Sequence, residues 1–211
     1  MTKRIVDFKD YFLKHITPAV RYLIVSDILI VGSTGMLGPI FALFIEDNIQ
    51  GGNAAIAGVA AAIYLITKSI FQIPVAAIID RIRGEKDDYY ILVIFTFLMS
   101  LIPLLYLFIT MSWQLYLVQF LLGLFTAMTF PSYMAIFTRH IGKNKEGTNW
   151  GAYFTLTDLS SSGFAAIGGY IAYSLGFQVL ISIIVCISIL GSMLMLLIKP
   201  YMKLQSNPSI K

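Results

Sequence analysis

The chain has 211 residues, of which 58% are hydrophobic and only 12% are charged, whereas an ordinary soluble domain carries about 25% charged residues. One soluble core of this size cannot bury so much apolar surface, so the composition excludes a soluble globular protein and indicates a membrane protein. The formal net charge is +4, but the basic residues form short clusters between apolar segments, so we expect no nucleic-acid partner.

The first 19 residues are expected to form an amphipathic lead-in that lies on the membrane surface. Ile5, Phe8, Phe12 and Ile16 recur at helical spacing, with charged residues on the other faces. Pro18 is expected to end this segment. We therefore divide the chain into a cytoplasmic lead-in over 1–19, a transmembrane domain over 20–198 and a cytoplasmic tail over 199–211.

Six long apolar segments follow the lead-in. Each is continuously apolar over about 20 residues, the length that a helix needs to cross a bilayer, and none alternates as a membrane β-strand does. The sequence therefore predicts an all-α membrane protein whose spans form two triplets of opposite orientation, a three-plus-three inverted repeat. The predicted spans are 20–45, 54–79, 88–110, 113–138, 149–174 and 177–198.

The basic residues predict the orientation of the spans. Every Lys and Arg except Lys68 lies before or at the very start of the first span, or after the second, fourth or sixth span. Because positive loops stay in the cytoplasm, both termini are expected there, in a multi-pass protein of the plasma or inner membrane. The basic residues in these positions are Lys3, Arg4, Lys9, Lys14, Arg21, Arg81, Arg83, Lys86, Arg139, Lys143, Lys145, Lys199, Lys203 and Lys211.

Three charged residues lie away from the ends of the predicted spans: Asp27, Lys68 and Asp158. A charge near the bilayer centre costs about 2.5 to 3.5 kcal/mol, so such groups pair with one another or face a water-filled cavity. Two interpretations stay open, a purely structural ion pair between Lys68 and an aspartate, and a solute or ion pathway. We expect Asp27 and Lys68 to form a charge pair across adjacent antiparallel helices, which Asp158 extends.

Two polar stripes run along the predicted helices. In the second span Tyr64, Lys68 and Gln72 recur every four residues and share one face. In the fourth span the stripe is spaced by seven residues and consists of Gln119, Thr126 and Tyr133. These side chains either form hydrogen bonds between helices or line a solute pathway.

The segment after the second span carries a family motif. Residues 76–86 read Ala-Ala-Ile-Ile-Asp-Arg-Ile-Arg-Gly-Glu-Lys, which resembles the Gly-x-x-x-Asp-Arg-x-Gly-Arg-Lys signature of the major facilitator superfamily. Ala76 replaces the first glycine, and Gly84 comes one residue late. The resemblance implies that Asp80 and Arg81 act as a conformational latch.

Two further stretches resemble the same superfamily. Gln119 and Gly123 occupy the places of an Arg-x-x-x-Gly motif, and Gly151, Ser160 and Gly168 have the spacing of a motif in the fifth span. The resemblance extends over the chain after residue 19 and is closest to half-length members. It implies one half of a twelve-helix bundle and a homodimer that transports a small solute by alternating access.

The sequence lacks the residues that common enzymes and cofactor-binding proteins need. A single cysteine, Cys186, excludes an internal disulfide, and the histidines His15 and His140 are too few for a metal cage. Nucleophile-elbow, zinc-protease and Walker motifs are missing. We therefore predict no enzyme, no catalytic residue, no metal and no cofactor. The alternative function is a non-transporting membrane subunit or scaffold of a larger complex.

Overall fold

The computed structural model describes residues 16–81, 85–142 and 144–202. Most of the predicted lead-in and tail, and the basic residues Arg83 and Lys143, lie outside these ranges. Within the described residues the chain is entirely helical and contains no strand. The predicted all-α membrane bundle is confirmed.

Seven α-helices follow one another within the described residues. Short 3₁₀ segments lie at Gly38–Ile40, after α4 at Ile102–Leu107 and after α7 at Met195–Tyr201. The helices are α1 (Pro18–Gly35), α2 (Phe41–Asn48), α3 (Ala54–Arg81), α4 (Lys86–Leu101), α5 (Ser112–His140), α6 (Glu146–Leu175) and α7 (Phe177–Leu194).

The first predicted span is not one continuous helix. It is interrupted between Gly35 and Phe41, where Gly38 and Pro39 stand. Proline has no backbone N–H to continue the helical ladder, and glycine adds conformational freedom, so the two residues account for the break. The whole segment Pro18–Asn48 is nevertheless long and apolar enough to cross a membrane.

Four other segments are long and apolar enough to cross a membrane: Ala54–Arg81, Lys86–Leu107, Ser112–His140 and Phe177–Tyr201. Helix α6 has 30 residues, which is ample length for a crossing. Its serines, threonines and glycines make it more polar than the other five long segments, and it is not among the described segments that are apolar enough to be a membrane span by composition. The bundle is thus built from six long helical segments.

The packing of these helices follows an internal two-fold pattern. Helix α1 packs against α6 and α7, α5 packs against α3 and α4, and α4 contacts α7. The first long segment packs against the fifth and sixth, and the fourth packs against the second and third. This is the correspondence that the predicted three-plus-three inverted repeat requires. Helices α3 and α6 consequently lie at the edges of the bundle.

Glycines allow the closest helix contacts. A Cβ on Gly123 of α5 would lie 2.6 Å from the carbonyl oxygen of Tyr64 on α3, and one on Gly168 of α6 would lie 2.5 Å from that of Met36 after α1. Hydroxyl groups also join α1 to α7, because Ser26 donates to the Gly191 carbonyl at 2.6 Å. Small residues at such crossings are typical of membrane bundles.

The apolar core has two parts. One lies toward the end of the bundle that carries Arg81, Lys86, Arg139 and Lys145, which we call the basic end, and the other lies toward the opposite end. The first cluster includes Leu23, Ile24, Leu92, Ile136, Phe137 and Ile198, and the second includes Phe44, Ile45, Leu115, Leu180 and Ile181. A cavity extends between them.

Candidate functional site

A cavity of about 540 Å³ lies in the middle of the bundle. Its wall is formed mainly by α1, α4 and α5, with single turns of α3, α6 and α7. Aliphatic, aromatic and polar side chains alternate on it. The polar residues on the wall are Asp27, Thr34, Tyr64, Thr96, Ser100, Tyr106, Gln119, Thr126, Thr129, Tyr133, Tyr153 and Ser188.

Asp27 is the one charged side chain on the described wall of this cavity. The hydroxyl of Tyr153, on α6, donates a hydrogen bond of 2.7 Å to its Oδ2 atom. The ring of Tyr133, on α5, lies 5.8 Å from that of Tyr153. Three helices that are distant in sequence therefore bring one carboxylate and two phenols together.

The hydroxyl of Tyr133 is buried next to the Tyr153 hydroxyl and makes no well-formed hydrogen bond among the described residues. A buried polar group without a partner costs about 1 to 3 kcal/mol, and such groups concentrate where a ligand or water completes the site. Tyr133 lines the cavity beside Asp27. A bound molecule could complete the hydrogen bonding of this hydroxyl.

The other end of the cavity is closed by an amide and aromatic rings. The Nε2 atom of Gln119 donates to the Tyr106 hydroxyl at 3.0 Å, and Gln119 is buried. The rings of Phe41 and Phe44 meet the Tyr106 ring edge to face, at 6.0 and 5.4 Å between centroids. The break between α1 and α2 places Phe41 in this position.

Several hydroxyls on the wall are already satisfied by helix backbone. Thr126 donates to the Leu122 carbonyl at 2.7 Å, and Thr129 donates to the Thr126 carbonyl at 3.2 Å. Ser100 donates to the carbonyl of Ser188, which joins α4 to α7. These groups keep acceptor capacity toward the cavity without needing a ligand.

Of the seven predicted pathway residues, four line the cavity: Asp27, Gln119, Thr126 and Tyr133. Gln72 instead lines a separate groove between α3 and α5 at the basic end. Lys68 lies at the edge of the bundle with its Nζ atom 4.8 Å from the centre of the Phe130 ring. Asp158 is exposed on the outer face of α6.

The prediction that Asp27 and Lys68 form a charge pair is wrong. Asp27 bonds to Tyr153, and no ion pair between Asp27 and Lys68 occurs in the described part of the chain. The reason lies in the packing, since α1 rests on α6 and α7 whereas α3 rests on α5. The first and second predicted spans are neighbours in sequence but are not principal packing partners in the bundle.

The proposed latch residues lie where α3 ends. Asp80 lines the groove at the basic end together with Gln72 and Arg139. Asp80 and Arg81 are both exposed in this structure. The latch role that the family resemblance implies for these two residues stays a prediction.

Sequence reasoning missed an ionic cluster at the basic end. Arg139, in the last turn of α5, forms a salt bridge with the buried carboxylate of Asp88 in the first turn of α4. His140 lies 3.7 Å from Glu85 and 3.1 Å from the Tyr201 carbonyl. The sequence does carry a signal for this cluster. Asp87 and Asp88 lie in the first turn of α4, and Arg139 and His140 lie in the last turn of α5.

The comparison with protein families agrees with this geometry. The family model described as Major Facilitator Superfamily matches residues 23–210, which is most of the chain and all six long segments. A search of curated protein sequences found no match to the chain. The match, together with the repeated helix packing and the central cavity, shows that the chain belongs to the major facilitator superfamily.

Proposed function

We propose that the chain is a secondary transporter that moves a small solute through the central cavity by alternating access. Members of this superfamily are transporters. The observation that carries the proposal is the cavity itself, whose volume of about 540 Å³ falls within the range of small-molecule sites. A structural subunit has no need of a polar cavity within the membrane, so the scaffold alternative is less well supported.

The solute path that we propose follows the cavity wall from Gln119 through Thr126 to Tyr133 and Asp27. Asp27 supplies a carboxyl group, and the other three supply further hydrogen-bonding groups. Polar residues are numerous on the wall, but most of its surface is apolar, as is typical of sites that orient a small molecule. Lys68, Gln72 and Asp158 lie outside the cavity and have no place in this path.

We further propose that two six-helix bundles work together as a homodimer. Helices α3 and α6 expose large apolar and also charged side chains at the edges of the bundle. A second copy related by a two-fold axis along the membrane normal would cover both edges at once. In this arrangement the domain over 20–198 spans the membrane, and the segments 1–19 and 199–211 lie on the cytoplasmic side.

We also propose that Asp80 and Arg81 act as a conformational latch during alternating access. Asp80 and Arg81 stand at the basic end of α3, beside a groove that leads toward Arg139. A conformational change that moves α3 against α5 alters this groove, so contacts of Asp80 there would favour one of the two states.

Alternating access is tested by the reactivity of a cysteine in the cavity. Thr126→Cys, in a Cys186→Ser background, is placed in sealed vesicles of known orientation and treated with a membrane-impermeant thiol reagent on either side. We expect labelling from both sides, because the two open states expose the cavity in turn. Leu190→Cys is the control, since Leu190 is exposed on the outer face of α7 and should react from neither side.

A static scaffold gives a different pattern. If Thr126→Cys reacts from one side only, or from neither, while the folded protein is intact, the cavity does not alternate and the transporter proposal is wrong. The labelling does not require knowledge of the solute.

A further inference from the structure

The described wall of the central cavity offers more free hydrogen-bond acceptors than donors. Oδ2 of Asp27 accepts from Tyr153, whereas Oδ1 makes no hydrogen bond within the described residues and is open to the cavity. Gln119 donates through Nε2 to Tyr106, which leaves its Oε1 as an acceptor. Thr126 donates its proton to a carbonyl of its own helix and keeps its lone pairs. A solute that donates hydrogen bonds therefore suits this wall.

The hydroxyl of Tyr133 adds a free group beside the carboxylate. Tyr133 is only 5% exposed and lines the cavity, and its hydroxyl makes no well-formed hydrogen bond. This hydroxyl is close enough to Asp27 to feel its charge. Because Tyr153 already donates to the other carboxylate oxygen, a carboxylate oxygen and a hydroxyl oxygen stand free at the same place.

The charge of the wall is unbalanced. Asp27 is its one charged side chain among the described residues, so no basic group on that wall neutralises it. The nearest approach of a cation from outside is Lys68, whose ammonium rests against the ring of Phe130, and Phe130 itself lines the cavity. An anion held near Lys68 is the competing class of solute, and the experiment below distinguishes the two.

Aromatic rings favour a positive charge in the same space. The rings on the wall belong to Phe41, Tyr64, Tyr106, Phe130, Tyr133 and Tyr153. The face of an aromatic ring attracts a cation, and its area also suits the apolar part of an organic molecule. Carboxylate, free acceptors and ring faces thus point to the same chemistry.

We propose that the solute is an organic ammonium, that is, a protonated amine with N–H groups on an apolar body. Its N–H groups donate to Oδ1 of Asp27 and to the Tyr133 hydroxyl, and its body lies against the rings. A quaternary ammonium carries the charge but no N–H, so it leaves both oxygens without a donor. This inference rests on the proposed transport function and names the class of solute.

Charge-selective modification of a cysteine in the cavity tests the proposal. The probes are three methanethiosulfonate reagents that carry an ethylammonium, an ethyltrimethylammonium or an ethylsulfonate group. Thr126→Cys, in a Cys186→Ser background, is purified in an uncharged detergent and treated at about pH 7, where a carboxyl group is ordinarily ionised. Each rate constant is divided by that of the same reagent with a small free thiol. We expect the ammonium reagent to react about tenfold or more faster than the sulfonate, because a negative cavity concentrates cations.

Three variants locate the source of this preference. Asp27→Asn should bring the two normalised rates to within about threefold of each other, and Asp27→Glu should keep the ammonium ahead. Asp158→Asn is the matched control, because it removes a carboxylate from the exposed outer face of α6 and should change nothing.

Equal rates for the two reagents in the Thr126→Cys protein, or a faster sulfonate, overturn the proposal. So does a preference that survives Asp27→Asn, or one that Asp158→Asn removes equally. The first comparison uses a protein with Asp27 intact, so it decides the matter even where Asp27→Asn does not fold.

Protection experiments test the N–H groups. Reaction of Thr126→Cys with the uncharged reagent N-ethylmaleimide is followed at rising concentrations of 2-phenylethylammonium, its trimethylammonium analogue or 3-phenylpropionate. We expect the ammonium to protect at a concentration about threefold below its analogue and about tenfold or more below the carboxylate. Tyr133→Phe should remove the first difference and keep the second. No protection by the ammonium, or equal protection by the carboxylate, contradicts the proposal, and equal protection by the analogue shows that Tyr133 does not select N–H groups.

The sidedness experiment on Thr126→Cys gives a separate answer about transport. Labelling from both sides without a preference for cations supports alternating access and rejects the organic ammonium. A cation preference that depends on Asp27, with labelling from one side only, supports the binding chemistry and rejects transport.

Discussion

At the scale of single residues, the hydrogen bond between Tyr153 and Asp27 organises the cavity. It fixes one carboxylate oxygen, while Asp27 as a whole stays partly exposed to the cavity. Hydrogen bonds to a charged acceptor contribute more than neutral ones, about 1.5 to 3 kcal/mol. The contact joins α1 to α6 and belongs to both the fold and the site.

Removing the Tyr153 hydroxyl should destabilise the bundle. Tyr153→Phe leaves the aspartate without its donor, so we expect a loss of about 1 to 3 kcal/mol in the free energy of unfolding. Unfolding of purified protein in detergent micelles measures the change. Tyr170→Phe is the control, because Tyr170 is largely exposed on the same helix and should unfold like wild type.

The contribution of the contact is separated by a double-mutant cycle. In an Asp27→Asn background, Tyr153→Phe should cost less than in wild type, because the charged acceptor has already been removed. Equal losses in the two backgrounds would show that Tyr153 stabilises the bundle through its ring contacts instead.

Sequence reasoning identified Asp27 but not its partner. An acidic residue within an apolar span is conspicuous, since its cost in lipid demands an explanation. Tyr153 is one tyrosine among 12 and is separated from Asp27 by 126 positions. Only the packing of α1 on α6 selects it, and no periodicity in either helix reports that packing.

At the scale of helices, the closest contacts depend on where glycines lie. Gly168 and Gly169 are neighbours on α6, yet a Cβ on Gly168 would clash with the backbone of Met36, whereas one on Gly169 would meet nothing within 4 Å. The backbone of Met36 cannot move aside as a flexible side chain can. Close helix packing therefore requires a glycine at position 168 but not at position 169.

Alanine substitution should separate these two glycines. Gly168→Ala forces α6 away from the end of α1, and we expect it to lower the free energy of unfolding by about 1 to 3 kcal/mol. Gly169→Ala should be neutral or slightly stabilising, because alanine is the better helix former. Thermal unfolding of the two variants side by side gives the answer, and equal midpoints would contradict the packing described for α6.

The sequence predicted the helices better than their arrangement. Predicted and observed ends of the second span differ by only two residues, 54–79 against Ala54–Arg81, because charged residues mark the limit of the apolar segment. The break near Pro39 has a visible signal in Gly38 and Pro39. Which helices touch depends on three-dimensional packing, so the expectation that Asp27 meets Lys68 failed.

At the scale of the whole molecule, the two ends of the bundle differ in charge. Within the described residues, Arg81, Lys86, Arg139 and Lys145 lie at one end, whereas Glu46 and Asp47 lie at the other, where α2 ends. Positive segments are retained in the cytoplasm. The basic end is therefore expected to face inward.

Cysteine labelling in whole cells tests this orientation. Asn48→Cys and Lys145→Cys, each in a Cys186→Ser background, lie at opposite ends of the bundle. An impermeant thiol reagent added outside should label Asn48→Cys in intact cells, and Lys145→Cys only after the cells are opened. Labelling of Lys145→Cys in intact cells would show that the basic end faces outward and would contradict the predicted topology.

The pairing of α1 with the last helices of the bundle also sets an order of events during synthesis. Ribosomes add about 5 to 20 residues per second, so the 126 positions between Asp27 and Tyr153 correspond to roughly 6 to 25 s of translation. During that interval α1 has left the ribosome while α6 does not yet exist. The carboxylate must be accommodated at the insertion machinery, or by water and lipid head groups, until the fifth long segment arrives.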